Sequence, residues 1–182
     1  MQLETERLVL RVLSSNHADE VLHFYEKNKN IFEKWEPSRV PTFYTNAFHC
    51  ANLSLEFNQI LQRKYLRYWI FEKSNPSTII GSVCFHNLIG GPFQSCSISY
   101  KTDCNHLQKG YAFEASKAAL DVIFKDYALH RVEAYISPDN TISQKLINKL
   151  GFVYEGVAYS SVKLLNQWQD HLRYSLTNPI NG

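Results

Sequence analysis

The run Asn105-His106-Leu107-Gln108-Lys109-Gly110-Tyr111-Ala112 links two stretches of opposite periodicity. Before it, Ser95–Thr102 reads as a strand; after it, over about 110–126, Ala112, Ala115, Ala119 and Ile123 fall on one helical stripe. A strand that passes through a short loop into a helix N-terminus aims several unpaired backbone N–H groups at one point. That makes an anion site suited to a pyrophosphate. Gly110 allows close approach of the anion to the backbone, and Lys109 adds a positive charge. The plainer alternative is that Gly110 only caps the helix after a turn.

Downstream lies a second junction, Ser137-Pro138-Asp139-Asn140-Thr141-Ile142-Ser143. Residues 131–137 read as a strand, with Val132, Ala134 and Ile136 facing one way. Residues 141–150 read as a short helix, with Asn140 as N-cap and Gly151 as its stop. The Asn140 amide can cap the helix and still offer an edge to a ligand. Ser143 shares a helix face with Ile147 and Leu150; it is either an ordinary first-turn serine or a functional hydroxyl. Residues 152–159 and 164–175 read as a closing hairpin.

Upstream, residues 7–13 read as a strand, and Asn16 as the N-cap of a helix reaching about Asn28. Residues 32–44, with Pro37 and Pro41, read as loop or short turns, and 46–64 as a second helix. Strands at 65–71, 78–88 and Ser95–Thr102, punctuated by Asn75-Pro76 and Gly90-Gly91-Pro92, predict an antiparallel meander. The order βαα-βββ-αβ-αββ is that of an α/β chain with a mostly antiparallel sheet.

A length of 182 residues points to one domain able to bury its own core. With 45% apolar and 14% aromatic residues but only 7 Gly and 6 Pro, the composition excludes a disordered or low-complexity chain. Lys plus Arg is 19 and Asp plus Glu is 17, a net +2 that gives no ground for DNA or an anionic membrane as partner. No apolar run approaches the roughly 18 residues needed to span a bilayer, and residues 1–10 alternate rather than forming a signal-peptide core. Cys50, Cys84, Cys96 and Cys104 form no C-x-x-C pair and read as buried thiols of a reducing cytoplasm. Neither they nor the 7 His show metal-ligand spacing, so no metal is expected.

Further pieces recur along the chain: Thr5-Glu6-Arg7-Leu8 with Leu10-Arg11, Trp35-Glu36-Pro37, Ile80-Gly81, and Gly110 with Glu114-Ala115. After these come His130-Arg131, Leu150-Gly151-Phe152 with Glu155-Gly156, and Gln167-Trp168 with Asp170-His171. In this order and spacing, together with the two junctions, the chain resembles the GNAT (acyl-CoA N-acyltransferase) family. Within it the likeness is to the RimJ-type branch, the ribosomal-protein-alanine N-acetyltransferases. The resemblance implies a single GNAT domain over 1–182, with a mixed, mostly antiparallel, splayed sheet flanked by helices and acetyl-CoA as co-substrate. It implies CoA contacts from Ser99, Tyr100 and Lys101, from His106, Leu107, Gln108, Lys109, Gly110, Tyr111 and Ala112, and from Asn140 and Ser143. The implied acceptor is a protein N-terminus, a ribosomal one among them, held near Trp35 and Glu36 by a cytoplasmic monomer or weak homodimer. Two departures stand out. Leu107 and Gln108 occupy positions where the family pattern has Gln/Arg and a loop glycine. Residues 161–164 carry no carboxylate where related N-terminal acetyltransferases place a glutamate base.

The reaction needs a neutral amine. An α-amine titrates near ~8 and a lysine ε-amine near ~10.4, so an α-amine acetylator can work with a weak base. Glu36, His86 and Glu114 are the base candidates; Glu36 is otherwise a solvated loop carboxylate or a clamp on the incoming N-terminus. The departing thiolate, near ~8.5, needs a hydrogen-bond donor more than a strong acid, and Ser143 suits that role. Trp35 is expected to line the acceptor site, and Trp69 and Trp168 to be packing or pocket walls. Tyr65, Arg67 and Tyr68 read as a strand face rather than an RNA platform. The competing readings are an acetyltransferase for a small amine and a ribosome-associated factor with weak catalysis.

Overall fold

A computed structural model of the chain describes residues 1–164 and 166–179. Strands β1 (Gln2–Glu4) and β2 (Leu8–Arg11) lead through a 3-10 turn at Ser15–His17 into helix α1 (Ala18–Lys27). The single turn α2 (Lys29–Phe32) and an irregular stretch precede α3 (Asn46–Leu61). Then follow β3 (Leu66–Glu72), β4 (Asn75–Ile89), β5 (Ser95–Thr102), α4 (Tyr111–Lys125), β6 (Arg131–Ile136) and α5 (Thr141–Lys149). The hairpin β7 (Val153–Leu164) and β8 (Gln167–Thr177) closes the fold.

The strands form one sheet in the order β1-β2-β3-β4-β5-β6-β8-β7. Neighbours are antiparallel except β5 and β6, which run parallel. Each face of the sheet carries a core. On β3, Leu66, Tyr68 and Ile70 point to the core shared with Ala115, Ala119 and Ile123 of α4, while Trp69 and Phe71 point to the core shared with Val21 and Phe24 of α1. The meander is a near-continuous apolar run because both faces are covered.

The parallel ladder is short. Ser95, Cys96 and Ser97 pair with Arg131, Val132 and Glu133, and there it ends. β5 runs on against β4 as far as Thr102, opposite Gly81, while β6 runs on against β8 as far as Ile136, opposite Leu172. The sheet therefore splits into two halves with a wedge between Ile98–Thr102 and Ala134–Ile136, the splay expected beside β5.

Several boundaries differ from expectation. Asn16 lies inside the 3-10 turn and caps nothing with its side chain; α1 begins at Ala18. Residues 2–4 form an edge strand too short for alternation to signal. Asn75-Pro76 opens β4 rather than standing outside it, tolerated because the β3–β4 register shifts there and Pro sits near the strand's start. β7 continues past residue 159 because Ser160 takes φ +47 in an irregular stretch, its N–H donating to Asp170 Oδ1 at 2.7 Å. Leu165, within the expected hairpin, and residues 180–182 of the expected domain lie outside the described residues. Trp69 is buried, but Trp168 is 64% exposed, neither packing nor pocket wall. All four cysteines are free; Cys84 and Cys96 are buried, Cys50 and Cys104 half-buried. Among the described residues no helix is long and apolar enough to cross a membrane.

Candidate active site

The loop between β5 and α4 is fixed from both sides. Asp103, fully buried, ion-pairs with Lys27 at 2.8 Å and accepts hydrogen bonds from the Asn28 amide at 3.0 Å and from His106 Nδ1 at 2.8 Å. Burial alone would raise the Asp103 carboxyl, but these donors and the Asn105 amide outweigh it and hold the pKa at about 2. Asn28 also accepts from the Cys104 N–H at 2.8 Å, so α1 anchors the loop directly. At the far end, Arg7 pairs with Glu114 at 2.7 Å and donates to the Lys109 carbonyl at 3.1 Å. Tyr111 donates to Glu72.

Between these anchors the backbone turns through two left-handed residues, Gln108 at φ +60 and Gly110 at φ +81. Gly110 directly precedes α4, whose first-turn N–H groups are thereby presented at the loop. Gln108, where the family pattern has a loop glycine, adopts the glycine conformation anyway, at a strain of roughly 1 kcal/mol.

The second junction is equally well defined. Asn140 Oδ1 accepts the Ser143 N–H at 3.1 Å, making the N-cap of α5. Across the wedge, Tyr100 of β5 donates its hydroxyl to the Ser143 carbonyl at 3.2 Å. Burial pushes the Tyr100 hydroxyl well above its usual pKa, so it stays a neutral donor.

Two cavities meet here. The larger, about 390 Å³, lies against the loop and the two helix starts and takes in Tyr100, Lys101, His106, Leu107, Gln108, Gly110, Tyr111, Ala112, Asn140 and Ser143. Lys145 and Lys149, four residues apart on α5, line it too; sequence reading missed them, although their spacing put them on one helix face. The smaller, about 340 Å³, lies between β5 and β6 in the wedge and takes in Ser99, Tyr135, Ser137 and His171. Trp35, Glu36, Tyr100, Lys101, Asn140 and Ser143 line both. Of the residues expected to contact CoA, Ser99 lines only the smaller cavity and Lys109 lines neither; it contributes its carbonyl to Arg7.

The three base candidates separate cleanly. Glu36 borders both cavities but is ion-paired with Lys101 at 2.5 Å and with Arg39. Glu114 accepts from Thr5 and Arg7, which keep its pKa low against the opposing effect of burial; its role is to tie the N-terminal strand region to α4. His86 lies on β4 opposite Ser97 and borders neither cavity. Burial and the charge of Arg67 lower its pKa. Among the described residues no group of three or more His, Cys, Asp and Glu side chains could hold a metal ion. Asp103, Asn28 and Lys27, which hold the loop, carried no sequence signal, since the contacts join positions some 75 residues apart.

The chain matches a family model described as an acetyltransferase (GNAT) domain over residues 7–153. It is 30% identical over 178 residues to the "Probable N-acetyltransferase YjcK" of Bacillus subtilis (strain 168), covering 97% of each chain. It is likewise 30% identical over 179 residues to the ribosomal protein uS5-alanine N-acetyltransferase of Escherichia coli (strain K12), covering 98% of this chain and 92% of that one. The crystal structure of a ribosomal-protein-S5-alanine acetyltransferase from Vibrio fischeri superposes with a TM-score of 0.92 at 27% identity, over 98% of this chain and 97% of that one.

Proposed function

The chain belongs to the GNAT acetyltransferase family, and from that premise we propose that it moves the acetyl group of acetyl-CoA onto the N-terminal α-amine of a protein, a ribosomal protein beginning with alanine. The observation that carries this reading is the pair of cavities meeting at the wedge between β5 and β6. The larger takes CoA, its pyrophosphate against the amides of residues 106–112. The smaller takes the acceptor N-terminus, bordered by Trp35 and Glu36.

At the wedge the amine nitrogen attacks the thioester carbonyl, forming the C–N bond. Negative charge develops on the carbonyl oxygen, and N–H groups of β5 beyond Ser97, freed from pairing with β6, are placed to stabilise it. The C–S bond then breaks, and the thiolate leaves with the electron pair. Ser143, at the start of α5 and bordering both cavities, donates its hydroxyl to that sulfur. Glu36, committed to Arg39 and Lys101, holds the Trp35 loop against β5 at the acceptor seat rather than removing the amine's proton. Gln108 keeps the loop in the glycine conformation, which favours a working donor site over a catalytically weak factor.

We read the whole of 1–182 as one domain, acting in the cytoplasm without a metal, as a monomer or weak homodimer. The likeness to the uS5-alanine enzyme supports the protein acceptor. Acetyl-CoA turnover against a panel of N-terminal peptides and polyamines tests it. Acetylation of an Ala-initiated peptide at its N-terminus is expected; transfer confined to polyamines overturns the acceptor and leaves the family chemistry intact.

A further inference from the structure

Whatever amine is used, the ammonium form must lose a proton before it attacks, and none of the sequence-derived base candidates is well placed to take it. Six titratable side chains line the smaller cavity: Glu36, Arg39, Tyr100, Lys101, Tyr135 and His171, of which Tyr100 already donates its hydroxyl to the Ser143 carbonyl. Arg39 and Lys101, whose pKa values burial lowers, are both committed to Glu36. Tyr135 donates its hydroxyl to Glu133 at 3.0 Å. His171 is different. It sits on β8, paired with Ala158 and one residue beyond the Leu172–Ile136 pair at the end of β6, so it stands at the mouth of the wedge. It is only 5% exposed, and its Nδ1 is buried without a hydrogen-bond partner. A buried imidazole nitrogen left unpaired carries a desolvation penalty that a ligand or an ordered water relieves. The neighbouring Asp170 is engaged elsewhere, accepting from the Ser160 N–H.

We propose that His171 is the base of the reaction: its imidazole takes the proton of the acceptor ammonium in the smaller cavity, leaving the neutral amine to attack. The step balances, since the ammonium becomes an amine and the imidazole an imidazolium. After attack, the second nitrogen proton goes to the departing thiolate and the imidazolium returns its proton to water. The proposal rests on the smaller cavity being the acceptor seat, as in the function proposed above, but not on the acceptor being a protein. The titratable groups that share the cavity with His171 are Tyr100 and Lys101 from β5, Tyr135 from β6, and Glu36 and Arg39 from the loop between α2 and α3.

The test compares wild type with His171→Gln and His171→Ala, using whichever of an Ala-initiated peptide or spermidine the wild type acetylates faster. Both variants are expected to lose on the order of 10²-fold in kcat at pH 7 with KM for acetyl-CoA unchanged, and to recover toward the wild-type rate as pH rises and more of the acceptor arrives as free amine. Added imidazole should restore part of the His171→Ala rate. Methoxyamine, a weakly basic amine already neutral at pH 7, should be acetylated by all three proteins within a few-fold. Variants that fold, bind CoA and retain the wild-type pH profile overturn the proposal. So does an equal loss with methoxyamine and no rescue by imidazole, which would mark His171 as merely structural. If neither the peptide nor spermidine reacts, the acceptor reading fails, and ethanolamine, a simple amine protonated at pH 7, takes their place: a loss in both variants that imidazole restores supports His171 as the base, and equal rates overturn it.

Discussion

At the level of single residues, Ser143 and Asn140 divide the work at the start of α5. Asn140 holds the Ser143 N–H at 3.1 Å, and the Ser143 hydroxyl is left free for the site. Ser143→Ala should therefore lower kcat by up to about 10²-fold, less where water substitutes, with KM for acetyl-CoA nearly unchanged. Steady-state kinetics check this, and an unaltered kcat would reduce Ser143 to ordinary first-turn chemistry. Asn140→Ala removes the cap, costing about 1 kcal/mol of helix stability. Thermal unfolding with and without CoA separates cap from ligand contact: a loss that CoA enlarges means that the amide also touches the ligand. Both residues were legible in the sequence, because a cap and a serine three positions on leave a local pattern. His171 was legible only as part of the Asp170-His171 piece. Its place at the wedge depends on β8 lying beside β6, which no local pattern encodes.

Elements show where local pattern gives out. The helices and the meander were readable because amphipathic stripes and alternation are properties of adjacent residues. The clamp on the β5–α4 loop was not, since Lys27 and Asn28 at the end of α1 and Arg7 just ahead of β2 reach it from far upstream in the sequence. Asp103 is the centre of that clamp. Its pKa is depressed from 3.8 to about 2, so its contribution to stability is fully present above about pH 4 and is lost as pH falls toward 2. The shift corresponds to about 2 kcal/mol. Stability of wild type to urea should fall over that window, and Asp103→Asn should flatten the dependence while losing about 2–4 kcal/mol at pH 7, because Lys27 loses its carboxylate and His106 keeps only the longer contact to Glu72. A wild-type profile flat from pH 4 to 2 contradicts this. Gly81 is a second element-level constraint: a Cβ there would lie 2.5 Å from the Lys101 carbonyl oxygen, a backbone atom. Gly81→Ala should push β5 away from β4 just where β5 borders the wedge. It is expected to destabilise the protein by about 1–3 kcal/mol and to raise KM for acetyl-CoA, read by unfolding and kinetics together.

For the whole molecule, the decisive property is that one sheet breaks along one seam and two cavities share a wall there, one lined by both strands of the seam and one by the helix starts beyond it. That seam was expected from the resemblance, but composition and periodicity alone could not have located it, since β5 and β6 look like ordinary strands in isolation. The proposed acceptor rests on the chemistry of the seam. Residues 161–164 bring no carboxylate, and Glu36 is bound by Lys101 and Arg39, so the site suits an amine that is easily deprotonated. A peptide α-amine near ~8 is such an amine; a lysine ε-amine near ~10.4 is not. The rate with an N-terminal peptide should therefore rise with pH and level off near 8, whereas a lysine acceptor would keep rising well beyond it. The measurement uses free-amine peptides, the same peptides with blocked N-termini and an open lysine, and spermidine, each followed from pH 6 to 10 at saturating acetyl-CoA. The free N-terminus is expected to react fastest throughout the lower half of that range. If the blocked peptide or spermidine overtakes it there, the smaller cavity is a seat for a flexible aliphatic amine, and the protein N-terminus is the wrong acceptor.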